Sequence, residues 1–199
     1  MSGKDCVPAL REARIHDMSD WAEARPVRMG GRGRTCRDLW DAAPRGSWLL
    51  DYAAAAGAPR PALVRAAAAC VRPALRFVSE GEDRPRLAVE AAEAWADRPT
   101  EENRRMAKAK GKAAEEMAGV TNVEAMVALA AHYAASAAWM VKAIIMERTW
   151  GTDAGWAAWR AAWAHRHAEG PESEAAAHAA CADEVRRLVP FLDLAGGGR

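Results

Sequence analysis

Residues 121–149, TNVEAMVALAAHYAASAAWMVKAIIMERT, decide how the rest of this 199-residue chain is arranged. Thr121 and Glu124 have the capping-box spacing, in which each side chain reaches the other's unpaired backbone N–H, so the sequence predicts a helix starting there. Met126, Leu129, Tyr133, Ala137, Met140 and Ile144 recur at steps of three or four, and Val127, Ala130, Ala134 and Val141 fill the adjoining rows. A helix that is apolar most of the way round belongs in the middle of a bundle. His132 and Lys142, on the same stretch, must then find partners or reach the surface.

Working outward toward the C-terminus, Gly151 breaks the chain and Thr152 or Asp153 caps a helix carrying Trp156, Trp159 and Trp163 at i, i+3 and i+7. That spacing predicts indoles packed on the central helix; its functional reading is a partner-docking ridge or a platform for stacking rings. Gly170-Pro171 marks the next boundary. Glu172 and Glu174 favour the start of a helix that Arg186 and Arg187 favour ending, with Glu174, His178, Cys181, Val185 and Leu188 on one face.

Toward the N-terminus, Thr100 followed by Glu101 and Glu102 opens a helix with the stripe Met106, Ala109, Ala113 and Met117, and Gly111 sits inside it against the pattern. Before it, Asp83-Arg84-Pro85 joins an acidic cap to an early-turn proline, and Ala88, Ala91, Ala92 and Trp95 form one stripe. Leu63, Val64, Ala67, Cys70 and Val71 give the face of another helix, which Pro73 should kink. Ser47 is the expected cap for a helix carrying Trp48, Leu49 and Tyr52, and residues 9–24 show only a thin apolar stripe. No strand-like alternation is present. The sequence therefore predicts an all-α, single-domain, alanine-rich bundle or array of about seven or eight helices around a long central helix. Residues 1–37 form a weak N-terminal helix and a flexible Arg/Gly-rich loop, 38–194 the helical domain, and 195–199 a disordered tail.

Hydrophobic residues make up 51% of the chain, but much of that is alanine, which offers little area to bury; cohesion must come from close helix packing, with the nine Trp as large anchors. A formal charge of +1 predicts no global attraction to nucleic acid or to an acidic membrane. Cys6, Cys36, Cys70 and Cys181 show no paired spacing and the chain opens on charged residues, which favours free thiols in a reducing cytoplasm. The uncharged run Ala125 to Val141 is short for a membrane span and alanine-rich, so a soluble buried helix is expected.

Little points to chemistry. Residues 25–37 hold five arginines and three glycines, and one reading is an arm that follows a nucleic-acid backbone; the loop lacks the aromatics such arms use. Glu174, His178 and Cys181 at i, i+4 and i+7 are weak candidates for a metal, with His165 and His167 as further ligands, although the spacing matches no metal signature. Neither a Gly-x-Ser-x-Gly elbow nor a His-Glu-x-x-His helix occurs, so no catalytic residue and no cofactor is assigned and an enzyme is not expected.

The run Gly81-Glu-Asp-Arg-Pro-Arg-Leu-Ala-Val-Glu-Ala-Ala-Glu-Ala-Trp95 resembles the Asp-x-Arg-Pro and Ala-Ile-Glu-Ala-Ala-x-Ala-Trp motif of the alanine-rich, all-α family of immunity proteins from bacterial polymorphic toxin systems. The run His132-Tyr-Ala-Ala-Ser-Ala-Ala-Trp-Met-Val-Lys-Ala143 is similar to that family's helix with a histidine, small residues, an aromatic and Lys-Ala. Asp38-Leu-Trp through Arg45-Gly-Ser-Trp-Leu-Leu50 looks like the Arg-Gly-Asp-Trp-Leu-Leu segment of some members, with Ser47 in place of the aspartate. Asp83, Arg84, Pro85, Trp95, His132 and Lys142 carry the match. The resemblance implies a cytoplasmic protein that neutralises a toxin or effector by binding and occluding it, without catalytic residues. A phage- or host-encoded helical inhibitor or a nucleic-acid-binding accessory protein is the alternative, and a small-ligand or metal-binding bundle a further one. Interfaces need a few desolvated Trp or Arg anchors, so an acidic protein partner is expected to contact Arg28, Arg32 and Arg34 together with Trp150 or Trp156.

Overall fold

Alanine sets how closely these helices approach one another. A computed structural model describes residues 6–24, 35–119, 122–139 and 152–195, and among them the chain is all-helical, with no strand. Its α-helices are α1 (Val7–Glu12), α2 (His16–Ala24), α3 (Cys36–Ala42), α4 (Gly46–Ala55), α5 (Arg60–Val71), α6 (Arg84–Asp97), α7 (Glu101–Glu115), α8 (Val123–Trp139), α9 (Asp153–Glu169) and α10 (Pro171–Leu188), packed in one array. Two short 3-10 segments, Arg72–Phe77 and Glu116–Gly119, interrupt the sequence of α-helices.

These ten helices exceed the expected seven or eight for local reasons. The N-terminal stretch divides at Arg14, whose φ of 61° lets Ile15 N–H reach Leu10 O at 2.9 Å and close a helix end usually made with glycine. Thr35 and Asp38 form a reciprocal capping box that starts α3. Pro73 acts as expected: α5 stops at Val71 and the chain tightens into the 3-10 segment.

Helix α8 lies at the centre, packed on α5, α6, α7 and α9. Its start differs from expectation. Asn122 Oδ1 accepts from Ala125 N–H at 2.8 Å and caps the helix, while the Glu124 carboxylate accepts from Ser79 N–H at 3.0 Å and from the Ser79 hydroxyl. Thr121 lies outside the described residues, as do Met140, Val141, Lys142 and Ile144 of the expected helix. The apolar rows of this helix are not buried equally. Ala128, Ala130, Ala131, Ala134, Ala135 and Ala138 are fully buried, whereas Met126, Leu129 and Tyr133 are half-buried. Small side chains admit a neighbouring helix to backbone distance; the large stripe cannot occupy that space and moves to the rim.

Glycines mark the tightest approaches. A Cβ on Gly111 of α7 would stand 3.0 Å from the Ala135 Cβ of α8, and one on Gly46 of α4 would meet Cys181 Cβ of α10 at 2.6 Å. This is why Gly111 is tolerated within a helix, at a cost of about 1 kcal/mol in propensity. Ser47 follows Gly46 inside α4, buried, and makes no cap; Asp83 likewise gives α6 no side-chain cap, its carboxylate accepting from Arg86 Nε at 3.1 Å and Nη2 at 2.8 Å.

The large buried side chains gather at the N-terminal half: Leu10, Met18, Trp40, Leu49, Leu50 and Tyr52. Tyr52 Oη donates to Leu192 O at 2.8 Å and accepts from Leu194 N–H at 3.1 Å, so the segment after α10 is tied to α4. The expectation of four free thiols is overturned here: Cys6 and Cys36 form a disulfide that joins the start of α1 to the start of α3, leaving Cys70 and Cys181 as buried free thiols. The two halves of the bridge stand 30 residues apart, a separation at which no local spacing signals pairing.

Trp95 of α6 is buried to 7% exposure beneath the Arg60 guanidinium, 5.4 Å from the ring centroid, while Arg60 Nε donates to Ala137 O of α8 at 2.7 Å. Replacing Trp95 by Ala is expected to cost about 3–5 kcal/mol in urea-induced unfolding, and a loss below about 1 kcal/mol would contradict the packing described.

Candidate partner-binding surface

On α9 the inward positions belong to Ala154, Ala157, Ala158, Ala161 and Ala164, each within one-twentieth of full burial, so the helix faces its neighbours with methyl groups. Trp156, Trp159 and Trp163 sit on the adjacent stripe and are half-buried. The expectation that these indoles pack into the central helix therefore holds only at one edge, where Trp156 meets Tyr133 of α8 at 6.2 Å between centroids.

The rings form a continuous ladder. Trp156 and Trp159 meet edge to face at 5.2 Å, Trp159 and Trp163 stack at 4.7 Å, and Trp163 meets His167 at 5.3 Å; at the other end Tyr133 meets His132 at 5.3 Å. Stacked and edge-to-face pairs of this kind are worth about 0.5–1.5 kcal/mol each and restrict the rings before any partner arrives. Arg160 lies in the ladder, its guanidinium 5.2 Å from the Trp159 ring and 6.0 Å from the Trp156 ring, with Nη1 3.3 Å from Met126 Sδ of α8.

Buried polar contacts fix α9 beneath this surface. Asp51 of α4 accepts from Thr152 N–H at 2.7 Å and from the Thr152 hydroxyl at 2.8 Å, and Thr152 Oγ1 in turn caps α9 through Gly155 N–H at 3.0 Å. Ser136 of α8 donates to Asp153 Oδ2 at 2.7 Å. Burial pushes the Asp51 carboxyl up to about 7, against the hydrogen bonds from Thr152, and pushes Asp153 upward as well. Both carboxyls are thus occupied in joining α9 to α4 and α8.

The residues that carry the family likeness do not converge. Arg84 binds Glu82, with Nε to Oε1 at 2.8 Å, and Pro85 is buried at the start of α6; Trp95 is buried near its end. His132 Nδ1 lies 3.0 Å from Gly111 O and 3.7 Å from Glu115 Oε2, a contact that fastens α8 to α7. Lys142, Arg28, Arg32, Arg34 and Trp150 lie outside the described residues, whereas Trp156 stands in the ladder. The weak metal candidates are also dispersed. His178 Nε2 is 3.8 Å from Glu174 Oε1, while Cys181 Sγ faces Cys70 O at 3.8 Å, and no three ligand groups converge among the described residues. His165 turns to the Phe77 ring at 5.0 Å and His167 to Trp163. Cys70, Cys181 and His165 instead line a pocket of about 270 Å3 between α5, α9 and α10.

Sequence reasoning missed Arg160. Its signal was present, a lone cation four residues after Trp156 and three before Trp163, and therefore within reach of the same helix stripe.

No family model matches the chain, and no curated protein and no solved structure does.

His178 is the buried group with the clearest pH consequence. Burial, and after it the nearby Arg45, lower its pKa to about 4 against the opposing Glu174, and neither ring nitrogen has a hydrogen-bond partner among the described residues. The unfolded imidazole takes a proton near 6.5 and the folded one does not, so folding stability is expected to fall as pH drops from about 6.5 toward 4, by at most about 3 kcal/mol. His178→Leu should remove this acid-dependent loss in denaturant melts at pH 7 and pH 4.5; an identical pH dependence in the variant would contradict the assignment.

Proposed function

We propose that the protein acts by binding, as an immunity-type protein that occludes a toxin or effector, with the tryptophan ladder of α9 and the adjoining rim of α8 as its contact surface. The observation that carries this reading is the placement of three consecutive stripe tryptophans at half-burial while the alanines of the same helix fill the interior. Indole and guanidinium side chains dominate the energetics of protein interfaces because each removes a large area from water and retains a directional contact. Here both stand on a rigid helix pair with their rings already mutually packed, so little side-chain entropy remains to be lost on association. The likeness of residues 81–95 and 132–143 to the immunity family supplies the kind of partner.

A cytoplasmic setting belongs to the same reading, and the Cys6–Cys36 bridge weighs against it, since bridges persist in oxidising compartments and are rare in the cytosol. No helix among the described residues is long and apolar enough to cross a membrane. A second reading, a small-ligand bundle, is favoured by the pocket beside Cys70 and Cys181.

The deciding experiment is co-expression with the product of a toxin gene adjoining this one. Rescue of growth is expected, with Trp159→Ala weakening the purified complex at least tenfold, about 1.4 kcal/mol, and shifting the thermal midpoint by only a few degrees. Full affinity in Trp159→Ala would place the contact elsewhere on the molecule.

A further inference from the structure

Many arginines of this fold have acids: Arg72 pairs with Glu93, Arg76 with Glu169, Arg84 with Glu82 and Arg86 with Asp83, whereas Arg45 rests over the Trp48 ring. Arg160 has none among the described residues. Its Nε is sealed from solvent without a hydrogen-bond partner, Nη1 meets a thioether sulfur, and the guanidinium lies against the rings of Trp156 and Trp159. A guanidinium that has lost part of its hydration and gained only a ring quadrupole retains most of its attraction for an anion, and the apolar frame strengthens that attraction by excluding water. Nη2 is the end that remains open, neither hydrogen-bonded nor sealed among the described contacts.

Resting on the reading that the ladder is the contact surface, we propose that Arg160 is a carboxylate receptor and that the partner's anchor is an acidic side chain flanked by apolar ones, seated over Trp156 and Trp159. Charge complementarity selects this occupant. A partner carboxylate on Nη2 completes the ion pair that the fold leaves open, and the flanking apolar groups cover the indole faces. A nucleic-acid strand is the poorer fit, because following a phosphate backbone takes a track of cations and Arg160 is the single lysine or arginine against these rings among the described residues.

The test uses the full chain, labelled with nitrogen-15, and two synthetic probes: the blocked peptide acetyl-Leu-Trp-Glu-Leu-amide and its counterpart with Gln for Glu. The Glu peptide is expected to shift the Arg160 Nε–H and the indole N–H signals of Trp156 and Trp159 saturably, and the Gln peptide to bind at least tenfold more weakly. Arg160→Gln should abolish the difference between the peptides, with its helical circular dichroism unchanged; Arg160→Lys, which keeps the charge and loses the planar fork, serves if that variant does not fold. Equal binding of the two peptides overturns the carboxylate inference while leaving the contact surface standing. Absence of shifts from either peptide up to about 10 mM, where millimolar affinity is visible, overturns both. A ten-nucleotide oligothymidylate that shifts the same signals at lower concentration than the Glu peptide would overturn the proposal in favour of a nucleic-acid strand.

Discussion

The structure depends on helices brought to backbone distance across methyl groups. Where α7 crosses α8, even one added Cβ at Gly111 would press on Ala135, and where α4 crosses α10, Gly46 rests against Cys181. At such separations dispersion between backbones replaces the interdigitation of long side chains, so many small contacts supply what a few large ones supply in an ordinary core. The arrangement has little tolerance. A methylene added at the crossing has nowhere to go, and the whole helix must shift to admit it.

That constraint explains the surface as well as the interior. A chain with nine tryptophans has more bulk than its close-packed helices can enclose. Trp40, Trp48 and Trp95 are buried where α3, α4 and α6 leave room, whereas Trp156, Trp159 and Trp163 share a helix whose inner stripe is alanine and are displaced outward. The aromatic ladder is thus a consequence of the packing rule, and its rigidity follows from the same cause, since the alanine face and the Asp51 and Ser136 contacts fix α9 beneath it.

Fold class was legible because helix signals in this chain are redundant: Thr100 and Thr152 cap where the spacing placed them, and Pro73 and Gly170 end helices as their chemistry requires. Which rows of α8 are buried most deeply was not, because the helix is apolar most of the way round and close packing then selects by size, placing alanine inside Met126, Leu129 and Tyr133. Capping differed for a related reason: Ser47 lies inside α4, whose N-cap is Arg45, and Asp83 is the N-cap of α6 but turns its carboxylate to Arg86. Several polar side chains lie near each helix start, and the competing partners, the distant Ser79 for Glu124 and the local Arg86 for Asp83, decide which of them caps. The Cys6–Cys36 bridge was invisible to spacing because the fold, not the local sequence, brings the two thiols together. At the candidate surface the tryptophan stripe was legible and Arg160 was not, since a cation on a stripe gains meaning only when its missing acid is known.

The central claim is that size decides burial here, with small side chains inside and large ones at the rim of α8 and α9. Equilibrium unfolding of Ala158→Leu and Trp163→Ala, compared directly, tests it. Enlarging the fully buried Ala158 is predicted to destabilise by about 1–3 kcal/mol, and removing the half-buried Trp163 ring by less than that. The reverse order, with Ala158→Leu tolerated and Trp163→Ala strongly destabilising, would show that the tryptophans hold the core together and would contradict the account.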